Sequence, residues 1–216
     1  PLYEQATGHK VVTSRGASMG NAQDSIPSRL ARGEQFDIVI LADGALDNLA
    51  AQGKVEAGSR VDLARSMIGM SVRKGTPKPD ISTVDALKQT LLDAKTIAYS
   101  ASASGTYLAN ELFPRLGVAE QMKGKATRIL SERVGAVVLR GDADIGFQQV
   151  SELLPFKELE FVGPLPDEVQ QRVFFSAGVA TGAKSPETAR HLIRFLAAPA
   201  AAPIVRSTGM EPAAKP

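Results

Sequence analysis

Short apolar runs alternate with amphipathic helical patterns along the whole chain, and this alternation limits the folds that are open to it. Each apolar run has the length of one strand, and the stretches between the runs are long enough for helical crossovers. The pattern predicts an α/β fold in which a sheet carries helices on its faces. The predicted strands are Lys10–Ser14, Phe36–Ala42, Ser66–Arg73, Thr96–Ser100, Asp144–Gln148, Glu158–Val162 and Val173–Thr181.

Capping residues and apolar spacing predict the main helices between these strands. One helix begins at the cap Ser82, with Asp85 three residues later. A second covers Gly105–Leu116, where Pro114 must bend or shorten it. A third begins at Ser185-Pro186, because proline is favourable at the first helical position. The chain also starts on a short helical pattern before Gly8, a common C-cap, so we expect a further segment upstream of Pro1.

Composition excludes several classes of function. The net charge is +2 and no run of five or six basic residues occurs, which argues against a nucleic-acid surface. The chain has no cysteine, so disulfides and thiolate metal sites are excluded. No apolar stretch reaches the roughly 20 residues that span a bilayer. The two histidines, His9 and His191, are predicted to lie on the surface, and we predict no metal and no cofactor.

Two long apolar strands predict a division into two lobes. Ser66–Arg73 and Val173–Thr181 lie about a hundred residues apart, and a self-contained set of strands and helices separates them. We therefore expect residues 1–70 and 174–216 to form one lobe and residues 71–173 the other. A lobe inserted between two crossover strands creates a cleft, and ligands tend to bind in such clefts.

Three predicted strand-to-helix junctions combine glycine, hydroxyl groups and arginine. Free backbone N–H groups at such junctions attract anions, although most Ser/Gly loops before helices serve only as caps. Three junctions in one chain favour an anion site, because such a site needs several converging donors. The junctions are Thr13–Gly20, which includes Arg15, Gly16 and Ser18; Ser100–Tyr107, which includes Ser104, Gly105, Thr106 and Tyr107; and Ser131–Gly135, which includes Glu132, Arg133 and Val134.

The order and spacing of these segments resemble the periplasmic molybdate-binding proteins and their type II solute-binding relatives. The resemblance covers nearly the whole chain and implies a two-lobe periplasmic-binding-protein type II fold with a ligand cleft between the lobes. No single motif is decisive, and the resemblance depends on the order and spacing of the segments together. It rests on Thr13–Gly20, Leu30–Ile40 followed by Ala42-Asp43, Ser104–Tyr107, Arg133–Ala136, Ala143–Phe147 and Phe195–Pro199.

The resemblance also implies the ligand-binding positions. The family's loop serine corresponds to Ser18, its helix-start donor to Ser104 beside Gly105, and its third donor to Arg133 or Val134. Gln149 replaces a tyrosine that often contacts the oxyanion in the family. Oxyanion sites of the family are built from neutral donors.

Arginine at two of these loops departs from that pattern. Because guanidinium matches carboxylate with two parallel hydrogen bonds, Arg15 and Arg133 favour a di- or tricarboxylate over molybdate. The alternative for each arginine is a solvated side chain or a structural salt bridge. The predicted neutral donors are Ser18, Ser104, Thr106 and Gln149. Asp43 at the end of a strand and Tyr107 in the first turn of its helix are also predicted to contact the ligand. The alternatives are a simple Asp-Gly turn for Asp43 and packing for Tyr107.

The residues leave two main functions open. One is a periplasmic receptor that binds a small anion and delivers it to an ABC-type permease. The other is an enzyme on the same fold that resembles aconitate isomerase, with Glu132, Asp43 or Tyr107 as the base. Glu132 is the first candidate, and its alternative role is to neutralise Arg133. A lesser possibility is an oxyanion binder in which the arginines point away. We predict no nucleic-acid partner and no membrane insertion.

Overall fold

The computed structural model describes residues 1–213. Contacts within the chain divide it into two compact units. The first unit consists of Pro1–Arg65, Phe174–Ser207 and 211–213, and the second of Ser66–Val173 and Thr208–Met210. Each unit is therefore discontinuous in sequence.

Strands and helices alternate along the chain, which confirms the predicted α/β class. No helix within residues 1–213 is long and apolar enough to cross a membrane. In chain order the elements are α1 (Leu2–Thr7), α2 (Ile26–Ala31), β1 (Ile38–Ala42), α3 (Asp43–Ala51), β2 (Val61–Arg73), α4 (Val84–Asp93), β3 (Ile97–Ser100), α5 (Ala103–Tyr107), a π-helical turn (Leu108–Leu112), α6 (Phe113–Arg115), α7 (Ala119–Met122), β4 (Ala126–Ile129), α8 (Val134–Arg140), β5 (Ile145–Gln149), α9 (Val150–Leu153), β6 (Leu159–Pro164), a 3-10 turn (Asp167–Val169), β7 (Arg172–Val179), α10 (Pro186–Ala197), a second 3-10 turn (Pro199–Ala201), α11 (Ala202–Ser207) and β8 (Glu211–Pro212).

The first unit is built on an antiparallel pair of strands. β1 pairs with β7 from Ile38 opposite Val179 to Ala42 opposite Phe175. The start of β2 pairs antiparallel with β8. Ala177 and Val179 of β7 pack against Ala189 and Ile193 of α10. This arrangement follows from the apolar stripe of α10, which has one face to bury.

The second unit contains parallel strands. β3 pairs in parallel with β4 on one side and with β5 on the other, while β2 runs antiparallel to both β5 and β6. The main core cluster lies on one side of β3 and includes residues of β2, α4 and the helical run from α5 to α6. A smaller cluster of Ala98, Val134, Val137 and Val138 packs α8 against β3. The carboxyl ends of β3, β4 and β5 therefore meet at one edge of this sheet.

β2 and β7 each belong to both units. The unit boundary falls between Arg65 and Ser66 within β2, and between Val173 and Phe174 within β7. The chain thus passes from one unit to the other inside long strands.

The predicted strand over Lys10–Ser14 is wrong. These residues belong to no strand of the described chain, and Val12 is 85% exposed. The backbone N–H of Val11 donates to the Glu4 carboxylate at 2.8 Å. The β-branched residues favour extended backbone, but a strand also requires a neighbour that accepts its hydrogen bonds.

Two helix starts also differ from the predictions. Thr83, not Ser82, caps α4, because the Thr83 hydroxyl accepts the Ala86 N–H at 3.1 Å. The helix predicted over Gly105–Leu116 begins at Ala103 and continues past Pro114. The π-helical turn before Pro114 makes this possible. A wider turn is a common way for a helix to absorb a residue that lacks an N–H.

Candidate functional site

The loop that carries Arg15, Gly16 and Ser18 is fixed by contacts within the first unit. The Ser18 hydroxyl is buried and accepts the Ala42 N–H at 3.2 Å, which ties the loop to the end of β1. A Cβ at Gly16 would lie 2.2 Å from the Asp24 carbonyl oxygen, so only glycine fits there. The loop therefore has a defined shape, as a binding loop requires.

Arg15 is exposed and has no hydrogen bond or ion pair with any of residues 1–213. Arg29 in α2 and Arg32, the residue that follows α2, both bind the Glu34 carboxylate. The positive charge of Arg15 is thus uncompensated where Ser18 fixes the loop. An uncompensated guanidinium at a fixed loop can bind an anionic ligand.

Asp43 follows β1 directly and is the first residue of α3. Its Oδ1 accepts the Gly44 N–H at 2.9 Å, and its Oδ2 lies 3.9 Å from Nη2 of Arg60. Asp47 and Asp62 bind Arg60 more closely, at 2.7 and 2.9 Å. One oxygen of the Asp43 carboxylate therefore remains open to a proton or a ligand.

In the second unit, Ser104 and Gly105 lie in α5, directly after β3. Ser104 is 1% exposed, and its hydroxyl is 3.0 Å from the Ser100 hydroxyl. A Cβ at Gly105 would lie 1.6 Å from the Ser100 carbonyl oxygen. Thr106 is half-buried, and its hydroxyl has no hydrogen bond within the described chain. The Thr106 hydroxyl is therefore an available donor at this junction.

The side chain of Tyr107 points into the core. Its hydroxyl donates to the Val169 carbonyl oxygen at 2.8 Å, and the ring packs in the main core cluster. Burial raises the pKa of the Tyr107 phenol above its usual value, so the group stays protonated. These contacts give Tyr107 a packing role.

Glu132 and Arg133 are adjacent in sequence but do not bind each other. Both oxygens of Glu132 accept hydrogen bonds from Arg140, at 2.6 and 2.7 Å. These bonds hold the pKa of the Glu132 carboxyl below its usual range. Arg133 is half-buried, and its guanidinium has no hydrogen-bond or ion-pair partner among residues 1–213. The charge of Arg133 is therefore uncompensated, as is that of Arg15.

The backbone N–H of Val134 is not a free donor. It donates to Oε1 of Gln148 at 3.0 Å, and both groups are buried. Sequence reasoning missed Gln148. The signal available was its place beside Gln149 at the end of a strand, where alternate residues face opposite sides of the sheet.

Gln149 carries an unsatisfied buried donor. The residue is 4% exposed, and its Oε1 accepts the hydroxyl hydrogen of Ser66 at 2.7 Å. Its Nε2 is buried and has no hydrogen-bond partner in the described part of the chain. A buried donor without a partner costs about 1–3 kcal/mol. Such a cost is expected where a ligand supplies the missing acceptor. Sequence reasoning also missed Ser66.

Each of the two units brings together some of the predicted ligand-binding residues. In the first unit, the Ser18 bond to Ala42 brings the Arg15–Ser18 loop beside Asp43. In the second unit, β3 and β5 run parallel, so the Ser104 junction and Gln149 leave the same edge of the sheet. The Gln148 bond to Val134 ties Arg133 to that edge. The structure does not bring Glu132 into contact with Arg133, and it uses Tyr107 in packing.

Comparisons with known proteins agree with this fold. The family model of bacterial extracellular solute-binding proteins matches residues 1–211. An aconitate isomerase from Pseudomonas sp is 47% identical over 212 residues, which are 98% of this chain and 81% of that protein. The molybdate-binding protein ModA of Azotobacter vinelandii is 26% identical and covers 96% of this chain and 81% of its own length.

Solved structures give the same architecture. The periplasmic molybdate-binding protein of Azotobacter vinelandii superposes with a TM-score of 0.77 at 20% identity. The match covers 100% of this chain and 91% of that one. The family match and the identity to relatives over nearly the whole chain show that this chain belongs to the family of bacterial extracellular solute-binding proteins.

Proposed function

We propose that this protein binds a tricarboxylate of the aconitate type and isomerises it. The observation that carries the proposal is a pair of arginines at fixed loops, Arg15 and Arg133, whose guanidinium groups have no partner within residues 1–213. The 47% identity to an aconitate isomerase over 98% of the chain supports this ligand class.

An arginine side chain is better suited to bind a carboxylate than to bind an inorganic oxyanion, for which a site of neutral donors is typical. Its planar fork forms two parallel bonds to one carboxylate, and it keeps its charge at any physiological pH. Arg29, Arg60 and Arg140 have carboxylate partners within the protein. Arg15 and Arg133 have no such partner, and we infer that carboxylates of the ligand pair with their guanidinium groups.

Neutral donors complement the two arginines. The unsatisfied Nε2 of Gln149 and the hydroxyl of Thr106 are suited to oxygens of a ligand. Ser18 and Ser104 hold the loops in place through their own hydrogen bonds, with Ala42 and Ser100 respectively. We therefore assign Gln149 and Thr106 to ligand contact, and Ser18 and Ser104 mainly to loop geometry.

Isomerisation requires one base that moves a proton between two carbons. The base removes a proton from the methylene carbon of aconitate, the electron pair delocalises over the allylic carbons, and the base, whose proton exchanges with water, returns a proton to the former vinyl carbon. This shift moves the double bond without any cofactor. Nearby guanidinium groups stabilise the negative charge that develops on the carboxylates.

Asp43 fits the role of base better than the other two candidates. Both oxygens of Glu132 are bound by Arg140, and its lowered pKa makes it a weaker base. The Tyr107 hydroxyl is buried and bound to Val169. Asp43 has an oxygen with no partner closer than 3.9 Å and lies beside the Arg15 loop.

Calorimetric titration with trans-aconitate tests the ligand assignment. We expect Arg15→Gln and Arg133→Gln each to weaken binding about 10- to 100-fold, because each loses charge-assisted hydrogen bonds. Arg140→Gln is the matched control, since Arg140 already has Glu132 and Asp142 as partners. Unchanged binding in both test variants, or an equal loss in the control, would contradict the assignment.

Initial rates of conversion test the base. Asp43→Asn should lower the turnover number by a factor of about 100 or more, as loss of general base catalysis does. Glu132→Gln should convert trans-aconitate at nearly the parent rate. The reverse order would give the role to Glu132.

A transport receptor is the second candidate, and the family match favours it. In this function the protein would act in the periplasm and deliver the carboxylate to an ABC-type permease. A receptor needs the arginines and the neutral donors but no base. Tight binding of trans-aconitate with no conversion by the parent protein would support the receptor.

A further inference from the structure

A third arginine, Arg128, lies at the carboxyl edge of the parallel strands in the second unit. β4 pairs with β3 so that Arg128 is opposite Tyr99 and Ile129 is opposite Ser100. Arg128 is therefore the last residue but one of β4, beside the loop that leads from Ser100 into α5. This edge is the one that carries Ser104, Gln149 and the start of α8.

Arg128 and Arg133 approach this edge from opposite faces of the sheet. Ile129 packs with Val134 and Val138 of α8, whereas Ala126 packs against the main core cluster on the other face. Because alternate residues of a strand share a face, Arg128 lies on the face of Ala126. Arg133 directly precedes α8 on the opposite face. Arginines that are carried to one edge of the sheet on opposite faces can bind separate carboxylates of one ligand.

The Arg128 guanidinium is oriented but largely unoccupied. Its Nη2 donates to the Ala101 carbonyl oxygen at 3.1 Å. The Arg128 side chain has five N–H donors, and only this one is hydrogen-bonded to residues 1–213. The Arg128 charge forms no ion pair with any carboxylate in that part of the chain. By contrast, Arg140 binds the carboxylates of Glu132 and Asp142. The bond to Ala101 fixes where the remaining donors of Arg128 can be used.

We propose that Arg128 binds the third carboxylate of the ligand and so makes the protein selective for tricarboxylates over dicarboxylates. This inference rests on the proposed function. With Arg15 and Arg133, it gives three carboxylates three guanidinium partners. A dicarboxylate leaves one guanidinium without a carboxylate and forms fewer charge-assisted bonds. Selectivity is this difference between two binding free energies.

The bond to Ala101 allows a different role, in which Arg128 only positions the loop before α5. A positioning role would weaken all ligands by the same factor, because every ligand would meet the same displaced loop. Direct contact weakens only those ligands that possess the contacted carboxylate. The ratio of affinities therefore separates the two roles.

The test is calorimetric titration of the parent protein and Arg128→Gln with trans-aconitate and the three dicarboxylates that each lack one of its carboxylates. Glutaconate lacks the central carboxylate, mesaconate lacks the one on the methylene carbon, and itaconate lacks the one on the vinyl carbon. We expect Arg128→Gln to weaken trans-aconitate binding about 10- to 100-fold. One of the three dicarboxylates should bind the variant within about twofold of its affinity for the parent, because it lacks the carboxylate that Arg128 contacts.

The other outcomes separate the inference from the proposed function. An equal loss for trans-aconitate and all three dicarboxylates assigns Arg128 to positioning and overturns the inference, as does unchanged binding of all four ligands. If the parent protein itself fails to bind trans-aconitate, the proposed function fails first. Arg140→Gln should leave all four affinities unchanged.

A second variant protects the test against misfolding. Arg128→Lys keeps the charge but loses the fork, so trans-aconitate should bind more weakly, by about 3- to 10-fold. The dicarboxylate that lacks the contacted carboxylate should bind this variant as it binds the parent, and a loss shared by all four ligands would again overturn the inference. Melting temperatures without ligand establish that each variant is folded.

Discussion

At the scale of single residues, Gly105 leaves no space for a side chain. A Cβ there would lie 1.6 Å from the Ser100 carbonyl oxygen, which is backbone and cannot move aside cheaply. We expect Gly105→Ala to lower the free energy of unfolding by about 3 kcal/mol, at the upper end of overpacking. Urea unfolding measures this change.

Gly44 provides the matched control for Gly105. It lies in α3 with nothing within 4 Å of a built Cβ. Gly44→Ala should therefore raise the free energy of unfolding by about 0.5–1 kcal/mol, since glycine is unfavourable within a helix. If both substitutions destabilise equally, the close approach of Gly105 to Ser100 is not the cause.

We expect the unsatisfied donor of Gln149 to lower the stability of the ligand-free protein and to strengthen ligand binding. Replacement of both hydrogen-bonded partners by apolar groups can be neutral or stabilising, whereas an orphaned donor is costly. The double variant Ser66→Ala/Gln149→Met should thus unfold at or above the parent melting temperature without ligand. It should also lose part of the rise in melting temperature that trans-aconitate causes. A double variant that melts lower than the parent but binds equally well would contradict this role.

Residue partners were harder to predict from sequence than residue positions. A strand followed by a Ser/Gly cluster locates Ser104 and Gly105 in the sequence, and the structure buries both at that junction. Adjacency suggested that Glu132 pairs with Arg133, but Glu132 reaches Arg140, eight positions further on. Neighbours in sequence point in different directions, so side-chain partners depend on the folded backbone.

At the scale of secondary-structure elements, apolar runs predicted most strands but not the short strands at the sheet edges. β4 has four residues, of which Thr127 and Arg128 are exposed, so its pattern carries no apolar run. β8 has two residues. Strands of this kind form because β3 or β2 offers a free edge. No local signal in the sequence specifies such pairing.

Gln170 substitutes for a strand neighbour beside β2. Its Oε1 accepts the Ile68 N–H at 2.8 Å, and its Nε2 donates to the carbonyl oxygens of Ile68 and Leu165. Gln170→Ala should lower the free energy of unfolding by about 2–3 kcal/mol, because buried backbone groups lose their partners. Gln89→Ala, on an exposed face of α4, should change it by less than about 0.5 kcal/mol. Equal effects in urea unfolding would contradict this role.

At the scale of the whole molecule, ligand binding should stabilise the folded protein by mass action. A ligand at 100 times its dissociation constant adds about 2.7 kcal/mol. For a chain of 216 residues this corresponds to a rise of about 5–10 °C in melting temperature. We expect trans-aconitate and citrate to give this rise and molybdate and sulfate to give less. Stabilisation by molybdate alone would mean that Arg15 and Arg133 do not bind the ligand.

Fold class and family could be predicted from the order of segments, since that order spans the chain. The lobe boundaries at 70/71 and 173/174 and the ligand cleft remain predictions. The chemistry was less accessible, because it depends on which polar groups the protein leaves unsatisfied. The buried amide of Gln149 has that property only once Ser66 has been placed beside it.

Proton nuclear magnetic resonance of trans-aconitate in deuterated water tests the central claim most directly. The parent protein should produce cis-aconitate and introduce deuterium at the carbons that exchange the proton, at a rate well above that of a protein-free sample. Asp43→Asn should bind trans-aconitate but produce neither signal. Binding by the parent without conversion and without deuterium uptake would contradict the isomerase and leave a receptor.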